Sequence, residues 1–379
     1  VNFVRTLCCL VATLASGACV EAPVPSATVD DVGATLVRSI GAAQADVVEI
    51  SSAIQVDSLS IVADATSAMI AALLPNGRLS WRAGGKGRGP GEMLRIDWMS
   101  TSYDTLRLFD GRQRKLVFRS LSTGALLSER RIDVLPLYAR SSVDGVLSDH
   151  SLLLSGYDNG YDTLIGVVRP ERILLVSKEG SATEIVSSVR GSELLRARSG
   201  TAATEMLRPL GKRAAVAAVG GEIFVFDGDT LGYFARTGPG GWRKTVVDLP
   251  LVLPPHAPTA AERRWASLHL TASGAGIGYF QAMLASTPAP TQSPLWGSGD
   301  DSRDSPLVIG SDGTLCLRAF TDPTVATQRW WLRGPQGGAW RSFTLPARTK
   351  LLAVHGSTIL AKQESDSIPD VLQIRVVSK

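Results

Sequence analysis

Along most of this chain, apolar and polar positions alternate in short bursts, and the bursts recur. Six stretches share one pattern, a short apolar run, a polar turn and then an alternating segment: IQVDSLSIVAD, IDWMSTSYDTLRLFD, VDGVLSDHSLLLSGYD, AAVAAVGGEIFVFD, PLVIGSDGTLCLRAF and LLAVHGSTILAKQ. A two-residue period bounded by turn formers marks strands with one face buried. In five of the six, a further strand follows (MIAALL, KLVFRSL, RILLVSK, LGYFART, RWWLRG). A Gly-containing turn (PNG, STG, KEG, GPGG, GPQGG) then leads into another strand. Glycine supplies the positive φ that a tight hairpin requires. Each unit therefore predicts a four-stranded antiparallel meander.

Equivalent strands begin near Leu59, Leu106, Leu152, Ile223, Leu315 and Ile359, so the three uninterrupted steps are 47, 46 and 44 residues. That is the period of propeller blades. Two longer steps hold insertions near residues 190–210 and 250–305, the second with capping-box spacing at Thr259 and Glu262 ahead of a short helix. The sixth unit ends at VLQIRVVSK without its outermost strand, and the segment VVEIS, residues 47–51, is available ahead of the first unit. The expected fold is thus all-β, a six-bladed propeller of four-stranded antiparallel blades, closed by an N-terminal strand at 47–51 that completes the last blade.

The first residues read differently. Arg5, the apolar stretch Leu7 to Leu14 and the small residues Ala15, Ser16, Gly17 and Ala18 precede Cys19, the layout of an export signal too short to span a bilayer. Cleavage before Cys19 resembles that of a bacterial lipoprotein, in which the new terminal cysteine is acylated. Ser16 stands where lipoproteins usually carry a large apolar residue, so ordinary cleavage after Ala18 is the alternative. The expected organisation is an export signal over 1–18, a tether and strap over 19–45 and the propeller over 46–379. The expected location is the periplasm or outer membrane, with Cys19 as the lipid attachment site.

Composition agrees with a large packed domain: 44% of residues are apolar, 20% charged, and there are 37 Gly and 20 Pro. The net charge of +4 is spread without a Lys/Arg block, which argues against a nucleic-acid or polybasic membrane-surface role. Beyond the leader only Cys19 and Cys316 remain, too few for a disulfide framework, and Cys316 in TLCLRAF reads as a core residue. The four histidines are widely separated and no metal-binding spacing appears.

The segment GGKGRGPGEM, together with DGTLCLRAF, RWWLRGPQGGAW and ILAKQESDSIPDVLQIRVV, resembles the ordered motifs of a family of bacterial exported six-bladed propellers similar to NHL-repeat proteins. Cys316 departs from the aromatic common there. The resemblance spans roughly residues 46–379 and implies a fold and an exported location. Its members mostly carry no assigned activity.

GGKGRGPGE lacks the order of a phosphate-binding loop and no helix pattern follows it, so it reads as a link between blades. TASGAGIGYF lacks the setting of a dinucleotide fingerprint, and no nucleophile elbow or Ser/His/Asp set is visible. What remains is the central channel, where innermost strands aim side chains at the axis. Asp57, Asp97, Trp98 and His355 lie on those strands or beside them, and Asp97, Trp98 and His355 are the candidates for binding at a channel mouth. No catalytic or metal-ligating residue is assigned and no cofactor is expected, with a calcium ion in the channel left open. The favoured function is a monomeric, non-catalytic binding or scaffolding propeller at the cell envelope. Its partner would be a protein or a small molecule, not nucleic acid, and it would meet the membrane only through the lipid. The alternative is a propeller enzyme, a lactonase-like hydrolase or lyase, with a metal site in the channel.

Overall fold

A computed structural model describes residues 30–41, 47–132, 139–157, 166–178, 182–199, 202–207, 305–319, 326–363 and 370–378. It also describes, with short breaks, 211–249, and residues 260 and 264. Six sheets each carry a four-stranded antiparallel meander. Blade 1 runs Ile50–Val56, Leu59–Asp64, Met69–Leu73, Leu79–Gly84, and blade 2 runs Trp98–Ser102, Thr105–Asp110, Lys115–Ser120, Leu126–Arg131. Blades 3 and 4 start at Ala139–Val146 and Ala215–Val219, blade 5 at Leu307–Ile309 and blade 6 at Thr349–His355. The innermost strands touch one another in blade order, and the strand of blade 6 returns to that of blade 1. The ring is closed, with six blades.

The closing strand is not the expected one. Ala34–Gly41 pairs antiparallel with Val371–Val377 and supplies the outermost strand of blade 6. The segment 47–51 instead leads into the innermost strand of blade 1: Ile50 pairs with Asp64. Its apolar character has a different cause, because Val47 and Ile50 are buried among Leu73, Leu360 and Leu372 at the seam between the first and last blades. The ring therefore takes in residues assigned to the strap. A further two residues, Asp30–Asp31, add in parallel to the outer edge of blade 5.

Between blades the core is built by the two faces of the second and third strands. In blade 2, Leu106 and Leu108 pack toward blade 1 and Phe109 toward blade 3, as the two-residue period demands. Tryptophans on outer strands add polar ties between blades: Trp81 Nε1 donates to the Leu121 carbonyl at 3.0 Å, and Trp340 Nε1 to that of Asp248 at 2.8 Å. Gly124 of the STG turn sits at φ +71° with the Trp81 ring where a Cβ would be, so both conformation and space require glycine there.

Of the two insertions, the first forms a separate three-stranded sheet of Gly166–Val168, Leu194–Ser199 and Ala202–Leu207. The second, 250–305, lies almost wholly outside the described residues, as do Thr259, Glu262 and TASGAGIGYF; Ala260 and Arg264 are helical. Residues 1–29, with Cys19, also lie outside them.

Ile40 is fully buried whereas Val48 is 65% exposed. Ile40→Ala should therefore lower unfolding free energy by about 2 to 5 kcal/mol, while Val48→Ala should stay within about 0.5 kcal/mol of the parent. Denaturant unfolding of the two variants measures this. The reverse order would return closure to residues 47–51.

Candidate functional site: the central channel

Because every blade repeats the same strand order, the six innermost strands run the same way along the axis. They begin at one mouth, here the leading mouth, and turn back at the other, the hairpin mouth. A cavity of about 790 Å³ lies between them. Its wall is largely apolar and hydroxyl-bearing, with Ser52, Ala53, Ile54, Met99, Ile309 and Leu352 among its residues. Arg95, Asp97, Arg112 and Lys350 stand around the leading mouth, and Gln55, Arg318 and Gln328 also line the cavity.

The sequence candidates divide between the two mouths. Asp97 and Trp98 begin the innermost strand of blade 2, whereas His355 ends that of blade 6. Strands of five to seven residues at about 3.3 Å each hold the two groups on the order of 15–20 Å apart. They do not form one site.

Asp97 is ion-paired with Arg95 and accepts a hydrogen bond from Gly111 N–H at 2.7 Å. Trp98 is half-buried, packs on the core between blades 2 and 3, and lines both the main cavity and a smaller one. At the other mouth, His355 Nε2 lies 3.6 Å from Asp57 Oδ1, and its Nδ1 is 3.4 Å from Ser311 Oγ and 4.0 Å from Asp312 Oδ2. Asp312 is already engaged by Thr314 N–H and O–H and by Gly356 N–H. Asp57 is highly exposed at a hairpin tip with φ +48°. His355 borders the hairpin mouth but lines neither cavity. Among the described residues, no three His, Cys, Asp or Glu side chains group as metal ligands.

What positions Asp97 and Trp98 is a buried carboxylate. Asp110, at the end of the second strand, accepts from Leu94 N–H at 2.5 Å and Arg95 N–H at 3.4 Å. It also accepts from the backbone N–H groups of Arg112 and Gln113. Asp64 makes the same latch in blade 1, with Val48 N–H, Glu49 N–H, Thr66 N–H and Ser67 Oγ. Each ties the lead-in of its innermost strand to the next turn. Burial alone would raise both carboxyls, but the hydrogen bonds outweigh it and both sit below the ordinary carboxylate value.

The glycine-rich link behaves as a connector. Gly87 N–H donates to the Met93 carbonyl, Gly89 N–H to Glu92 and Gly91 N–H to Glu129 at 2.7 Å, while Arg119 and Lys115 bond to the carbonyls of Gly91 and Gly89. Those amides are already used. Cys316 is fully buried, and burial pushes its thiol far up, with the Asp312 charge acting in the same direction. It is a core residue.

Sequence reasoning missed Arg318, Gln328 and Arg107. Arg318 and Gln328 are buried beside Trp330: the guanidinium lies 5.8 Å from the indole centroid and Trp330 Nε1 donates to Gln328 Oε1 at 3.2 Å. Arg107 interrupts the apolar run TLRLF, a signal available once the repeats are aligned.

No family model matches the chain, and no curated protein matches it. Among solved structures, a Bacteroides fragilis protein whose name records an inferred export is 12% identical, covers 94% of this chain and 93% of its own, and has a TM-score of 0.44. A DUF4221 member from Bacteroides vulgatus is 6% identical over 93% of this chain and 100% of its own, with a TM-score of 0.48. BamB from Moraxella catarrhalis is 13% identical over 90% and 97%, with a TM-score of 0.32. The strand order and the closed circuit of innermost strands define this chain as a six-bladed propeller with an axial channel.

The latches carry a pH dependence. A carboxylate held below its unfolded value of about 3.9 stabilises the fold above that value, and the contribution is lost as pH falls through the lower folded value. The melting temperature should decline as pH is taken from about 5 toward 2. The Asp64→Asn, Asp110→Asn double variant should melt lower than the parent at pH 7 and show a shallower acid decline. Parallel acid limbs for the two proteins would assign the decline to other carboxylates.

Proposed function

We propose that this chain is a non-catalytic binding propeller of the bacterial cell envelope, related to NHL-like exported propellers, and that its ligand occupies the axial channel. The observation that carries the reading is the wall of the 790 Å³ cavity: apolar and hydroxyl side chains with a few placed cations and amides, the composition of a small-molecule site. The carboxylate at its leading mouth, Asp97, is already paired with Arg95. The leader pattern ahead of Cys19 supports export, and Cys19 itself supports a lipid anchor. The protein works as a monomer, with the membrane reached only through that lipid and no nucleic acid involved.

Two measurements test this. In a bacterial host, the parent should partition with membranes and Cys19→Ala with the soluble periplasm; identical partitioning of the two would remove the lipid anchor. For the channel, mature protein should be assayed for bound metal and screened against small molecules by thermal shift. Ligands present at about 100 times their Kd add about 2.7 kcal/mol of stability, and Trp98→Ala should reduce their shift. A stoichiometric metal together with turnover of a lactone would replace the binding reading with that of a hydrolase.

A further inference from the structure

A second cavity of about 330 Å³ opens at the hairpin mouth, lined mainly by blades 2, 3 and 4, with Ile54 of blade 1 and Ile309 and Ser311 of blade 5 completing it. Trp98, Met99, Ala218 and Val219 give it apolar walls, and Ser100 and Ser148 add hydroxyls. Arg107 also lines it, although this side chain belongs to the second strand of blade 2 and the residue is only 3% exposed.

Arg107 has no structural counterpart around the ring. On the side of the second strand that faces the following blade, the corresponding residues are Ile61, Leu153, Phe224, Cys316 and Leu360, all buried in the cores between blades. Only blade 2 puts a cation at that position; Arg318 of blade 5 lies on the same side two residues further along its strand. One of its five N–H donors is used, Nη1 to the Leu147 carbonyl at 3.2 Å, and Nε is buried without a partner. No carboxylate among the described residues pairs with it, and burial alone moves its ionisation, downward. A buried charge without a counter-ion destabilises a fold where an apolar residue of similar size would not. Packing therefore favours the apolar residues of the other blades, and the arginine calls for a partner that the described residues do not supply.

We propose that this cavity binds a small organic carboxylate, its carboxylate on Arg107 and its apolar body against Trp98 and Met99. The planar guanidinium fork matches a carboxylate, and a single cation balances a monoanion. Asp144 on the same wall is already held by Arg172 Nη2 at 3.4 Å from each oxygen, so its carboxylate is paired elsewhere. The volume is at the small end of small-molecule sites. This proposal rests on the reading of the channel as a ligand site and names the ligand class for one part of it.

The test uses the mature protein and titration calorimetry with phenylacetate, indole-3-acetate and hexanoate, each against its neutral amide, and with phenyl phosphate. At least one carboxylate should bind at least tenfold more tightly than its amide and than phenyl phosphate. In Arg107→Leu that preference should disappear while the melting temperature stays level or rises, and Arg107→Lys should keep part of it. The proposal fails if Arg107→Leu melts markedly lower with carboxylate affinity unchanged, or if acids and amides bind alike or not at all. Arg95→Ala, at the leading mouth, separates the two readings. Carboxylate binding lost there but kept in Arg107→Leu overturns the Arg107 site and leaves the channel reading standing. Ligands in the thermal-shift screen with none among these carboxylates do the same.

Discussion

Everything in this molecule depends on a pairing between its two ends. Blade 6 has three strands from the end of the chain, and without Ala34–Gly41 the N–H and C=O groups of Val371–Val377 would form an open edge. The pairing also seats Ile40 against Ala353, Leu360 and Leu372, next to the seam where Val47 and Ile50 of the first blade meet the last. Backbone pairing and side-chain burial thus close the ring at the same place. The cost of bringing such distant residues together grows only slowly with the length of chain between them, which is why one eight-residue strand suffices.

Closure in turn sets what each side chain is allowed to be. A blade is packed on both faces, so the middle residues of its second and third strands are mostly buried, and a polar side chain placed there has to find a partner. The exceptions then become informative. Asp64 and Asp110 are buried but fully occupied by amide donors. Their burial organises the lead-ins to the innermost strands. Arg107 is buried in an equally central place without that kind of satisfaction.

This asymmetry explains what could be read from residues alone. Strands such as Leu59–Asp64 and Leu152–Tyr157 carry long buried runs, so their spacing revealed six units directly. The closing strand did not stand out because, within ATLVRSIG, Ile40 is the single fully buried residue and Leu36 and Val37 face solvent. An outermost strand needs little apolar alternation. VVEIS is the more strand-like of the two because Val47 and Ile50 are buried at the seam. The site was less legible. Asp97, Trp98 and His355 do flank the axis, but which mouth each borders follows from strand direction, a property of the assembled ring. Arg107 was visible only as a break in TLRLF and gains meaning when Ile61, Phe224 and Leu360 are set beside it.

The two mouths also differ in charge, and this bears on how a ligand would travel. Arg95, Arg112 and Lys350 border the leading mouth, with Asp97 as the carboxylate among them. At the hairpin mouth Asp57 and Asp312 surround His355. A channel with low-dielectric walls focuses such a difference along its axis. That field would favour an anion at the leading end, while at the hairpin end Arg107 sets a cation against the two aspartates. Trp98 lines both cavities, so a ligand of the kind proposed, entering at the basic mouth, would meet this aromatic surface on its way to Arg107.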